Sequence, residues 1–95
     1  MKERRQDGFY WADNTLYRYT PLEPDASWGY GRFEQYWGSG RGWEPVVPSE
    51  SDFHGMRKVP AEVEAFIRNA PEKMVRSGLL SYEVRKRLYM NPAPR

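Results

Sequence analysis

Tyr30-Gly31-Arg32-Phe33-Glu34-Gln35-Tyr36-Trp37-Gly38-Ser39-Gly40-Arg41-Gly42-Trp43-Glu44-Pro45-Val46-Val47 is the stretch on which the fold turns. Read at period two, Phe33 and Trp37 fall on one side and Arg32, Glu34 and Tyr36 on the other, the pattern of a half-buried strand. Gly38, Gly40 and Gly42 tolerate positive φ, and after them Trp43-Glu44-Pro45-Val46-Val47 resumes the alternation, so a β-hairpin is expected. With residues 38 to 42 as the loop, Trp37 faces Trp43 and Phe33 faces Val47 in the core, while Tyr36 faces Glu44 on the outer surface. Pro45 has no N–H for a ladder bond, which assigns its strand to a sheet edge.

Upstream, Phe9-Tyr10-Trp11 and Leu16-Tyr17-Arg18-Tyr19-Thr20 are β-prone runs around Asp13-Asn14, two residues that accept positive φ. A tight hairpin there pairs Trp11 with Leu16 and Tyr10 with Tyr17. Phe9, Trp11 and Leu16 then share one face, and Tyr10, Tyr17 and Tyr19 the other. Residues 20 to 27 form a proline-punctuated connection, with Trp28 tucked against the end of the core.

Downstream, residues 48 to 59 are polar and turn-rich and read as a linker in which Phe53 alone is anchored. From Pro60 the period changes. Val63, Phe66, Ile67 and Ala70 recur at i, i+3, i+4 and i+7, an amphipathic helix with proline in its first turn. A second short helix begins at Pro71 and ends at Gly78, and Ser81 is placed to cap a third containing Val84 and Leu88. The expected architecture is therefore α+β. An antiparallel sheet of about four strands, two hairpins over residues 9 to 47, is followed by two to three short helices over residues 60 to 90 on one sheet face. A charged stretch at 1 to 8 and a fraying tail at 91 to 95 flank this single domain of 95 residues.

Composition narrows the chemistry. Without cysteine there is no disulfide framework, thiolate metal site or thiol nucleophile. His54, the one histidine, has no partner spacing for a metal centre, so neither metal nor cofactor is expected. The charged N-terminus has no apolar run after it and no window approaches a membrane span, which reads as a cytoplasmic protein with no membrane partner. The glycine-rich loop leads into a strand and lacks a P-loop lysine. Glu34 and Glu44, diagonal on the outer hairpin face, lack the apolar pocket that keeps a catalytic acid protonated, so no enzyme is expected. Gly42-Trp43-Glu44 resembles the opening of a WW domain over those three residues, but no second tryptophan follows. Met74 to Met90 resembles a helix-turn-helix, but its second helix lacks the apolar spacing of that motif. Neither supports a family assignment.

The formal charge is +2 and is unevenly spread. Residues 1 to 8 carry three basic and two acidic groups, residues 9 to 53 three and seven, and residues 54 to 95 nine and four. Twelve of the fifteen aromatic residues lie between Phe9 and Phe53, so the aromatic segment is acidic and the helical segment basic. Two function classes follow. The first is a small protein-interaction module, an adaptor or inhibitor, binding a protein partner through an outer sheet face of Tyr10, Tyr17, Tyr19, Tyr30 and Tyr36 with Arg32 as charged anchor. The second is a nucleic-acid binder using Lys73, Arg76, Arg85, Lys86 and Arg87. Base stacking on a negative aromatic segment is electrostatically disfavoured, which ranks the protein partner first.

Overall fold

The computed structural model describes residues 5–90. The elements run β1 (Gly8–Ala12), β2 (Thr15–Pro21), β3 (Gly31–Gly38), β4 (Gly42–Val46), α1 (Glu50–Gly55), β5 (Arg57–Lys58), α2 (Ala61–Arg68), α3 (Glu72–Ser77) and α4 (Leu79–Met90). The strands form one antiparallel sheet in the order β4-β3-β2-β1-β5. The α+β class is as expected, with five strands rather than about four; three helices, α2, α3 and α4, follow over the expected residues, and α1 and β5 occupy the stretch expected to be a linker.

The first hairpin turns where its sequence says it should. Asp13 and Asn14 take φ of 47° and 61°, the double positive φ of a two-residue turn, and Trp11 pairs with Leu16 and Tyr10 with Tyr17. The second hairpin departs from expectation by one residue. Gly38 and Gly42 belong to the strands and pair with each other, so the loop is only Ser39-Gly40-Arg41. Tyr36 pairs with Trp43 and Phe33 with Val46, and the register shifts between Tyr36 and Gly38. Trp37 sits at this irregularity and is extruded, 47% exposed, with the Arg41 guanidinium 4.7 Å from its ring centroid. Trp37 is thus not a core residue. Pro45 does lie on an edge strand, opposite Glu34.

Both faces of the sheet are covered. On one, Phe9, Leu16 and Tyr36 pack with Val63 and Ile67 of α2 and Leu80 and Val84 of α4. This is the helix side, and α2, α3 and α4 all belong to it. On the other, Tyr10, Tyr17, Tyr19, Phe33 and Met56 pack with Trp28, Val46 and Phe53. Phe53 comes from α1, the helix that the polar composition of residues 48 to 59 hid. Ser49 caps it, its Oγ accepting the Asp52 N–H at 3.1 Å, with Glu50 and Asp52 at the positive end of the dipole. The charged stretch before β1 is engaged as well: Arg5 lays its guanidinium 4.3 Å from the Trp28 ring centroid and donates to the Met56 carbonyl at 2.8 Å. The tail at 91 to 95 lies outside the described residues, as do residues 1 to 4.

The tip of the second hairpin is stapled to the end of α3. Gly78, with φ of 85°, ends that helix in the left-handed region, and α4 starts directly at Leu79, earlier than a Ser81 cap implies. Helix C-termini leave carbonyls without intrahelical partners. Here the Tyr36 hydroxyl donates to the Met74 and Val75 carbonyls and the Gly40 N–H to that of Arg76. A Cβ on Gly38 would come within 2.5 Å of the Gly78 Cα, so the two backbones touch where no side chain fits.

Candidate interaction surface

The tyrosine face expected from the sequence is not a surface. Tyr10, Tyr17 and Tyr19 share a face as expected, but all three are buried beneath α1 and Trp28. Tyr36 is buried on the opposite, helix side, because β3 pairs with β2 so that Phe33 lies beside Tyr19 and Glu34 beside Arg18, which turns the face of Arg32, Glu34 and Tyr36 toward the helices. The hydroxyls are used internally. Tyr10 donates to the Gln6 carbonyl at 2.8 Å, Tyr17 to Asp52 Oδ2 at 2.7 Å, and Tyr19 to the Tyr30 carbonyl at 3.2 Å. Burial pushes the Tyr10 phenol up to about 12 and raises that of Tyr17, where the Asp52 carboxylate adds to the effect. Alternation correctly separated the two faces but carried no information about a second cover. The available signal was Ser49-Glu50-Ser51-Asp52, a capping pattern directly before Phe53.

Tyr30 and Arg32 remain exposed, and they lie on a part of the helix side that the helices leave open. The boundary is the pair Arg18–Glu34. Arg18 donates from Nε and Nη2 to the two carboxylate oxygens at 2.9 and 3.0 Å, and its guanidinium stands 4.8 Å from the Trp43 ring centroid. The hydrogen bonds from Arg18 hold the Glu34 carboxyl below the usual range against the opposing effect of burial. Beyond this row Thr20 pairs with Arg32, and a Leu22 N–H bond to the Tyr30 carbonyl at 2.9 Å carries the ladder one pair further. By alternation Leu22, Tyr30 and Arg32 face the same way as Glu34. Leu22 is 78% and Tyr30 64% exposed, and Val47, which the register would bring opposite Arg32, is 91% exposed. A groove of about 730 Å³ borders this area, lined by Arg32, Phe33, Val46, Val47, Pro48 and Phe53 among others.

A second exposed surface is the outside of α4. Leu80, Val84 and Leu88 turn inward, and Leu79, Tyr82, Lys86 and Tyr89, spaced three and four apart, turn outward with Arg85 beside them. The Arg85 guanidinium lies 5.6 Å from the Tyr89 ring centroid. All five basic residues singled out from the sequence are exposed. Arg76 is paired with Glu72 at 2.7 Å, and the Arg87 guanidinium is laid 3.9 Å from the Phe66 ring centroid. Lys73, Arg85 and Lys86 have no ion-pair partner among the described residues.

Glu34 and Glu44, expected together on one face, are on opposite faces, since Glu34 is opposite Pro45 and Glu44 opposite Gln35. Among the described residues no group of three His, Cys, Asp or Glu side chains is placed to hold a metal, and no helix is long and apolar enough to cross a membrane. Compared with protein-family models, curated proteins and solved structures, the chain matches none.

Proposed function

We propose that this domain is a non-catalytic protein-interaction module, and that it meets a protein partner with the open part of its helix side, centred on Leu22, Tyr30, Arg32 and Val47. The observation that carries the reading is the mismatch between sheet and cover: two large apolar side chains and a tyrosine project beyond the Arg18–Glu34 row, where no helix shields them. A buried tyrosine or arginine at the centre of an interface typically contributes more than its neighbours, with truncation costing about 1–4 kcal/mol of binding. The fold does not need these side chains. The test is to isolate the partner from the source cell by affinity capture, with and without nuclease, and to measure its affinity for wild type, Tyr30→Ala and Arg32→Ala. Each variant should bind at least about tenfold more weakly while melting within a few degrees of wild type. Unchanged affinity in both rejects this surface.

A second reading rests on α4. Tyr82 and Tyr89 flank Arg85 and Lys86 on one helix face, so here aromatic and basic groups coincide, which the segment charges alone did not suggest. Such a face suits phosphate contact with base stacking. In that case capture is lost on nuclease treatment, and oligonucleotide affinity falls steeply with salt.

A further inference from the structure

The groove beside Arg32 has an unused strand edge inside it. In an antiparallel ladder, opposed residues alternate between pairs that exchange backbone bonds and pairs that do not. The Leu22 N–H bond to the Tyr30 carbonyl fixes the phase on the β2 side, so the next pair, Pro21 and Gly31, is of the non-bonded kind. The N–H and C=O of Gly31 therefore point away from β2, toward β4. But β4 stops at Val46, opposite Phe33, and continuing the register would set Pro48 against Gly31, a residue with no N–H to give. Gly31 thus presents a donor and an acceptor to the groove. The outer edge of β4 is a poorer template, because Pro45 is non-bonded toward β3 by the same alternation and so has no N–H to offer outward.

We infer that this groove takes an extended segment of the partner protein, which pairs its backbone with Gly31, lays an apolar side chain against Phe33, Val46 and Phe53, and sets a carboxylate on Arg32. The lining supports each part. Arg32 is the one charged side chain lining the groove, its side chain is 68% exposed, and its nearest acid is Glu34 at 3.9 Å, both of whose oxygens already receive Arg18. A cation so placed selects an acidic group, while the rest of the lining is aromatic, aliphatic, proline or glycine. Backbone pairing supplies affinity and the pocket supplies side-chain preference, the division found in strand-addition recognition. The inference rests on the function proposed above and narrows it to an acidic, apolar peptide bound as a strand.

The experiment is a selection of displayed random peptides on the full chain, wild type and Arg32→Glu in parallel, followed by amide exchange measured by NMR with the best peptide. Wild type should enrich Asp or Glu near a branched or aromatic residue, and Arg32→Glu should bind that peptide roughly tenfold more weakly. The Gly31 amide should become protected on binding, and methylating the peptide backbone nitrogen that faces Gly31 should abolish the protection. Enrichment indifferent to Arg32→Glu, a helical bound peptide, or a Gly31 amide that exchanges as before overturns the inference. If no peptide is selected while the cellular partner still loses affinity with Tyr30→Ala, the groove is excluded and the open face stands. If that partner is indifferent to Tyr30→Ala as well, both fall.

Discussion

On the helix side of the sheet, three helices lay aliphatic side chains over Phe9, Leu16 and Tyr36, whereas on the other side a helix of six residues and the Trp28 indole close over a layer of tyrosines and Phe33. The first layer is held by apolar area, the second by area together with hydroxyl bonds. Tyr10, Tyr17 and Tyr19 each bond a different piece of chain: Gln6 ahead of β1, Asp52 in α1 and Tyr30 just ahead of β3. Each such bond contributes about 0.5–1.5 kcal/mol net and, in addition, leaves no phenol unpaired in the core. A thin cover therefore suffices when the residues beneath it reach through to fasten it.

The strongest way to break this contrast is to remove the centre of each layer. Trp28 contacts Tyr10, Tyr19, Phe33 and Phe53, and its ring stacks on Phe53 at 5.1 Å with an interplanar angle of 14°. Trp28→Ala should cost about 3–5 kcal/mol, and Leu80→Ala on the helix side about 2–5 kcal/mol. Thermal melts give the totals, and amide exchange separates them. Trp28→Ala should expose the amides of α1 at an energy below global unfolding, whereas Leu80→Ala should lower the whole domain together. Equal loss of α1 protection in both variants would mean the layers are not separable.

Alkaline pH acts on the same contrast more gently. Tyr10, Tyr17 and Tyr19 lie on the aromatic side with raised phenol pKa values, against Tyr36 alone on the helix side. Above about pH 10 the unfolded chain releases these protons while the folded chain retains them, so it is the folded state that binds more protons and stability falls as pH rises. The slope is about 1.4 kcal/mol per pH unit for each retained proton. The loss is absent below pH 10, and for Tyr10 it continues until its folded value of about 12. Tyr17→Phe should cost about 1 kcal/mol at neutral pH and flatten the decline above pH 10, as read from urea titrations across that range. A slope identical to wild type would show that the Tyr17 phenol is solvated. The smallest effect is expected at Trp37, which is 47% exposed with the Arg41 guanidinium over its ring. Trp37→Ala should shift stability by no more than about 1 kcal/mol, and a larger drop in a urea titration would place its indole in the core after all.

How far the sequence could be read depended on how tightly each turn is specified. Asp13 and Asn14 are adjacent residues able to take positive φ between two aromatic runs, which leaves one register, and the structure has it. Residues 38 to 42 hold three glycines, and the observed turn uses positive φ at Gly38, Ser39, Gly40 and Gly42, a path that composition does not single out. Because side chains alternate, the single residue of difference put Trp43 opposite Tyr36 instead of Trp37, and the pairing of β3 on β2, which sets Phe33 beside Tyr19, turned Tyr36 toward the helices. The helices over residues 60 to 90 were legible from their period, while α1 is too short to show one. For the site, Tyr30 and Arg32 were correctly taken as outward, and Tyr10, Tyr17, Tyr19 and Tyr36 were not, since whether a strand's second face is covered depends on segments distant in sequence.

The contact between Gly38 and Gly78 has a meaning for how this chain can change over generations. Both residues have positive φ, and a Cβ on Gly38 would strike backbone, which cannot move aside as a side chain can. A substitution there separates the hairpin tip from α3 and strands the Tyr36 hydroxyl bonds, and no second change at Gly78, already without a side chain, makes room. Folding thus constrains both positions, Gly38 by contact and Gly78 by its positive φ. It places no such demand on Leu22, Tyr30, Arg32 or Val47, whose side chains stand mostly in solvent. Drift at those four positions is free as far as the fold is concerned, so any constancy in related chains would be the imprint of what the domain binds.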